Sequence, residues 1–172
     1  MNKIKILLTA CGCPGASTLI RMLQQNGERP VEIIGTDIDK EAIGRFFVDN
    51  FYQVPPGRST NYISEMLNIV EKEKPDVLFP QSTYEVYPIA LNKEKFEKIG
   101  TTVIVSDSEP IEIANNKFKM YKTLEEKTDI PMPEYYTTEI STSSAAAVLR
   151  RWRSCRPRSS VSRAAIGSGC PR

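Results

Sequence analysis

Apolar and polar residues along positions 1–105 fall into blocks of two kinds that take turns. Residues 3–9 (KIKILLT) form a short β-branched and leucine-rich run that stops at the small-residue turn ACGCPG. From residue 16 to about 25, Leu19, Ile20 and Leu23 recur at helix spacing until Asn26-Gly27 closes the pattern. Residues 31–36 (VEIIGT) read as a second strand leading into Asp37-Ile38-Asp39, residues 42–47 as a short helical turn, and residues 51–54 as a third strand stopped by Pro55-Pro56-Gly57. Residues 62–72 carry Ile63, Met66, Leu67 and Val70 on one helical face. Residues 77–79 are a fourth strand, residues 86–98 a helix with Pro88 in its first turn, and residues 102–105 a fifth strand. Strand and helix alternate five times with short connections. That order predicts a doubly wound α/β fold, a parallel sheet with helices on both faces, because parallel strands need crossovers. Two short helices follow at residues 109–114 and 117–127, then Ile130-Pro131-Met132-Pro133 and the extended EYYTT.

Composition changes this picture at residue 143. All 21 acidic residues and all 12 lysines precede it, whereas residues 143–172 hold 7 of the 11 arginines and no Lys, Asp or Glu. The body carries 16 basic against 21 acidic residues, a charge of −5, and the tail carries +7. The serine, arginine and alanine bias of the tail marks low complexity without a core-forming pattern. The pattern divides the chain into a doubly wound α/β domain at 1–114, a following segment at 115–142 and a disordered basic tail at 143–172.

The N-terminus shows no signal peptide, and no stretch approaches the roughly 18 apolar residues of a membrane span. A cytoplasmic protein with reduced thiols is expected. With no histidine and only Cys11 and Cys13 close together in the body, a zinc site lacks ligands. Ser-His-Asp and Cys-His nucleophile systems are excluded for the same reason.

Candidate chemistry gathers at the carboxyl ends of the strands. Set against G-x-G-x-x-G, the turn of residues 10–15 keeps Gly12 and Gly15 but has Ala10 at the first position, and Pro14 removes one N–H. Asp37 stands 25 residues after Gly12, where a dinucleotide fold puts its ribose contact. The plainer reading is a tight βαβ turn beside a solvated surface acid. Asp37 and Asp39 read as residues of a solvated loop, and joint acid/base work is not expected of them. Ser82, Thr83 and Glu85 follow the fourth strand, at the end where open α/β sheets bind ligands, although Ser82 or Thr83 serves equally well as a helix cap. Lys117, after Asn115-Asn116, has the reach to touch a phosphate but is equally an ordinary surface lysine.

The segments KILLTACGCPGASTLIRML, IIGTDID, YQVPPG, ISEMLNIVEKEKPDVLFP, NKEKFEKIG and IANNKFKMYKTLEEKTDIPMPEYY resemble, in this order over residues 3–137, the N-terminal part of ATP-grasp ligases. The group they resemble is the carbamoyl-phosphate-synthase large-chain-like carboxylate–amine ligases. The resemblance implies a Rossmann-like first domain that holds no NAD and contributes the acceptor-substrate side of the cleft. It implies ATP and Mg²⁺ in the following domain, with Lys117 on the ATP phosphates, and a reaction that activates a carboxylate as an acyl phosphate for attack by an amine. The family usually has Asp before that lysine, where this chain has Asn116.

Where the family continues into a strand ending in a lysine-proline pair, residues 143–172 depart from it. A one-base offset in a back-translation of residues 152–163 recovers such a pair, so the tail reads as a frameshift product and the chain as a truncated ligase, inactive alone and without tight ATP binding. The rival reading of the tail is a basic arm with Trp152 that binds phosphate backbones. Against it stands an acidic body, and neither nucleic acid nor membrane is expected as a partner; small-molecule carboxylates and amines are. The competing function is an NAD(P)-dependent oxidoreductase or nucleotide-sensing module using the 10–15 turn.

Overall fold

A computed structural model of the chain describes residues 3–133. Residues 1–130 form one compact unit; of the second, residues 131–172, only 131–133 are among those described. The expectations for residues 134–172, the basic tail included, lie outside the described residues.

The strands are β1 (Ile4–Leu8), β2 (Val31–Asp37), β3 (Asn50–Gln53), β4 (Val77–Phe79) and β5 (Thr102–Val103). They make one sheet in the order β3-β2-β1-β4-β5, and every pairing is parallel. The helices are α1 (Ala16–Gln24), α2 (Tyr62–Glu73), α3 (Thr83–Leu91), α4 (Lys93–Lys98), α5 (Ser108–Asn115) and α6 (Lys117–Lys127), with a 3₁₀ turn at Ile43–Phe46. None of them is long and apolar enough to cross a membrane.

Register explains how a near-continuous apolar strand serves two cores. Leu7 pairs with Ile34 on one side and Leu78 on the other, and Leu78 pairs with Val103. These four residues share one face, where they pack with Met66, Ile69 and Val70 of α2, Ile89 of α3 and Phe96 of α4. Their neighbours Leu8 and Ile33 point the other way, onto Ala16 and Ile20 of α1. Helices therefore cover both faces, and the expected doubly wound architecture holds.

Two expectations need correction. The helix expected at 86–98 is two helices that share Asn92 as cap, because its side-chain Nδ2 donates to the Pro88 carbonyl at 2.9 Å and ends α3 there. Since Ser82 starts α3 at Thr83, Pro88 lies inside the helix rather than in its first turn. The Tyr84 carbonyl thus loses its helical donor. The fifth strand stops at Val103 because the Val105 N–H turns back to the Val103 carbonyl at 3.0 Å.

Candidate functional site

The turn after β1 is held by its own backbone. Ala10 adopts φ 49°, the left-handed conformation that the first glycine of a G-x-G-x-x-G turn supplies without strain. The Cys11 N–H donates to the Thr36 carbonyl at 3.1 Å and the Cys13 N–H to the Ala10 carbonyl at 3.0 Å. Gly12 N–H donates to Asp37 Oδ2 at 2.7 Å. Asp37 is 8% exposed, and its other oxygen accepts the Asp39 N–H at 2.9 Å. The acid expected as a solvated loop residue is thus folded back onto the glycine turn. Donors that a pyrophosphate would use are spent internally, as is the carboxylate that a ribose would use.

Around this turn opens a cleft of about 540 Å³ at the carboxyl ends of the strands. Its walls are Ala10, Gly12 and Cys13; Asp37, Ile38 and Asp39 after β2; Glu41, Ala42 and Ile43; the loop Pro56-Gly57-Arg58; and Ser82, Tyr84 and Glu85 at the start of α3. Four of the sequence-derived candidates, Gly12, Asp37, Ser82 and Glu85, therefore meet in one cavity. Gly15 is the exposed N-cap of α1 and Thr83 faces a neighbouring depression with Tyr87. Lys117 opens α6, exposed, and does not line the cleft. Asn116 caps that helix by accepting the Lys119 N–H at 3.1 Å, the capping role open to the family's Asp.

Glu85 is the most deeply buried of the carboxylates that line the cleft. It is 3% exposed, and Oε2 accepts the Thr9 hydroxyl at 2.6 Å. Burial raises its pKa above the ordinary carboxylate value, the Thr9 bond opposes that rise and the Asp37 charge adds to it. Thr9 in turn accepts the Gln81 N–H at 3.1 Å, and the Gln81 side chain donates to the Thr9 carbonyl at 3.0 Å. Beneath lies the Tyr62 hydroxyl, which burial and then the Glu85 charge push up. Neither Tyr62 Oη nor Thr36 Oγ1 has a hydrogen-bond partner of ordinary geometry. Cys11 and Cys13 are free thiols, and burial holds Cys11 up at about 12, so it is no thiolate nucleophile.

Sequence reasoning missed Thr9, Tyr62, Gln81, Glu41 and Arg58. Thr9 and Glu85 are 76 residues apart and meet only because β1 and β4 are neighbours. Arg58 did have a signal, its place directly after Pro-Pro-Gly at a strand's carboxyl end.

Among the described residues no group of three or more His, Cys, Asp or Glu could hold a metal ion. Lys117, the residue expected on the ATP phosphates, stands outside the cleft.

The parallel sheet, the glycine turn closed by its own hydrogen bonds and the cleft beside it make this a Rossmann-like α/β domain. Residues 6–104 match the family described as PylC-like, N-terminal domain, and the chain belongs to that family. Among solved structures it is similar to N5-carboxyaminoimidazole synthetase from Staphylococcus aureus complexed with ADP, at TM-score 0.59 and 16% identity over 86% of this chain and 36% of that one. It is also similar to the biotin carboxylase domain of a single-chain bacterial carboxylase, at TM-score 0.57 and 10% identity over 87% and 34%. A third likeness is the biotin carboxylase subunit of a pyruvate carboxylase, at TM-score 0.51 and 18% identity over 86% and 32%. At these identities the likeness is one of fold, and the chain spans about a third of each structure's length. No curated protein matches the chain.

Proposed function

We propose that this domain is the acceptor-amine side of an ATP-dependent carboxylate–amine ligase of the carbamoyl-phosphate-synthase large-chain-like group. The observation that carries this reading is the set of carboxylates lining the cleft, Asp37, Asp39, Glu41 and Glu85, at the strand ends where such folds take ligands. An amine arrives as an ammonium ion and is attracted by these acids. It must shed a proton before it attacks an activated carboxylate, and Glu85, whose pKa burial raises, is the acceptor closest in character to that task. The ATP and Mg²⁺ chemistry belongs to the domain that opens near Lys117 in this reading. The free thiols Cys11 and Cys13 suit a reducing cytoplasm.

The test is calorimetric and spectroscopic. Titration of the full chain with 1,5-diaminopentane should shift the amide signals of Asp39 and Ser82, and NAD(P)H and MgATP should give no low-micromolar binding. Low-micromolar NAD(P)H binding with an unresponsive cleft would replace this proposal with a dinucleotide-binding one.

A further inference from the structure

Tyr62 opens α2 and is fully buried, yet its hydroxyl has no hydrogen-bond partner of ordinary geometry among the described residues. Buried tyrosines ordinarily find a partner, because a polar group stripped of water and left unmet costs free energy. The ionisable group beside it is Glu85. After burial, the Glu85 charge is what pushes the Tyr62 pKa up, and the Tyr62 hydroxyl is in turn among the groups that favour the ionised Glu85.

Glu85 itself is held from two sides. Its Oε2 accepts the Thr9 hydroxyl at 2.6 Å, and the Thr9 oxygen accepts the Gln81 N–H at 3.1 Å, which turns the Thr9 proton toward the carboxyl. On the other flank Gly57 presses so closely that a Cβ there would lie 2.8 Å from Glu85 Cγ. The carboxyl is thus confined, whereas a phenol hydroxyl rotates about its C–O bond without moving the ring. The titratable groups facing Glu85 are Asp37 at the end of β2, Cys11 in the turn after β1 and Tyr62 at the start of α2. Arg58, in the same loop as Gly57, lies over the Tyr84 ring, 4.2 Å from its centre.

We propose that Tyr62 is a positioning residue for Glu85, a second hydroxyl that turns onto the carboxylate when Glu85 is ionised and lets go when it is protonated. Thr9 is the fixed donor and Tyr62 the one that responds. Together they hold the carboxylate until an ammonium delivers its proton: an N–H bond breaks, an O–H bond forms on Glu85, and the nitrogen keeps the electron pair with which it attacks. This rests on the acceptor-amine reading above, which gives Glu85 that task.

The experiment follows the Glu85 carboxyl carbon by NMR through its titration in the full chain, without any amine. Tyr62→Phe, which keeps the ring and removes only the hydroxyl, raises the proton affinity of Glu85 roughly tenfold, so its titration moves to higher pH. Thermal unfolding gives the matching sign: at acid pH the variant is at least as stable as the wild type, and it falls behind as pH rises through the Glu85 titration. A third reading needs no tyrosine variant. In the wild type the Tyr62 Cζ signal steps at the Glu85 midpoint, and in Glu85→Gln that step is gone. An unmoved Glu85 midpoint in Tyr62→Phe, a stability deficit equal at every pH, or a Tyr62 signal that ignores Glu85 overturns the role of Tyr62, whatever the cleft binds. Because the titration uses no amine, a cleft that ignores 1,5-diaminopentane removes the acceptor reading and the catalytic purpose of the pair, while the coupling of Tyr62 to Glu85 is decided by these three measurements alone.

Discussion

The Gly12 N–H and the Asp37 carboxylate are joined at 2.7 Å, tying the turn after β1 to the end of β2. A Cβ on Gly12 would lie 2.9 Å from that same Asp37 oxygen, so the glycine and the acid are matched by contact as well as by hydrogen bond. The pair closes the floor of the cleft and removes the two groups that a dinucleotide would need.

Asp37 uses both oxygens, one on Gly12 N–H and one on Asp39 N–H. Asp37→Ala should therefore cost about 2 kcal/mol, the range of charge-assisted hydrogen bonds lost at a partly buried site. Asp37→Asn should be nearly as damaging, because its amide nitrogen would face one of the two N–H donors. Urea denaturation of both variants checks this, and a near-neutral Asn variant would show that one of the two bonds contributes nothing.

Ala10 holds φ 49° at a position where glycine is unstrained. Ala10→Gly relieves roughly 1–2 kcal/mol of local strain and gives back about 0.5–1 through the greater freedom of the unfolded chain. A net gain of about 0.5–1 kcal/mol is expected in thermal unfolding. Ala10→Val should lose roughly 2 kcal/mol or more, since a β-branched residue tolerates that conformation worse. Equal stability of the three proteins would mean the turn relaxes without strain.

Gly44 lies against the backbone of the same turn, and an added Cβ would be 2.0 Å from the Cys11 carbonyl oxygen. Backbone cannot yield as a flexible side chain does, so Gly44→Ala should displace the 3₁₀ turn at Ile43–Phe46 and cost about 3 kcal/mol or more. Gly15→Ala is the control: nothing lies within 4 Å of its added carbon, its φ is −83°, and replacing a glycine N-cap by alanine costs at most about 1 kcal/mol. Comparable losses at the two positions would contradict the assigned contact.

The sheet was legible in the sequence because KIKILL and VEIIG are apolar on both strand faces, as a parallel sheet covered on both sides requires. The candidates Gly12, Asp37, Ser82 and Glu85 were legible for a related reason, since each follows a strand at its carboxyl end. What each would do there was less legible. Ser82 to Glu85 has the S-x-x-E spacing of a capping box, yet only Ser82 caps, while Glu85 turns inward to Thr9. Such a contact spans 76 residues and has no local signature. The break at Asn92 was hidden because a single asparagine between Leu91 and Lys93 marks no turn by itself. Only its bond to the Pro88 carbonyl reveals it as a shared cap.

Glu85 sets a pH signature that an isostere should remove. Its ordinary pKa is 4.5, and burial raises it in the folded chain. The native state then holds the proton more tightly than the unfolded one. That contribution is fully present below about pH 4.5, and it is lost as pH rises through the elevated native value. Glu73 acts in the opposite sense. The Tyr52 hydroxyl bonded to its carboxylate lowers its pKa, so its stabilisation is present above about pH 4.5 and lost on acidification. In Glu85→Gln the carboxyl disappears but an acceptor for the Thr9 hydroxyl remains. The melting temperature of Glu85→Gln relative to wild type should therefore climb as pH rises from 4.5 and level off above the native pKa, while acid unfolding through Glu73 is shared by both. Thr9→Val, which removes the one hydrogen bond favouring the ionised form that Thr9 supplies, should move the climbing window to higher pH. A difference between Glu85→Gln and wild type that stays constant from pH 4 to 9 would mean that Glu85 ionises as freely as an exposed glutamate, and its proposed part in taking a proton from the amine would go with it.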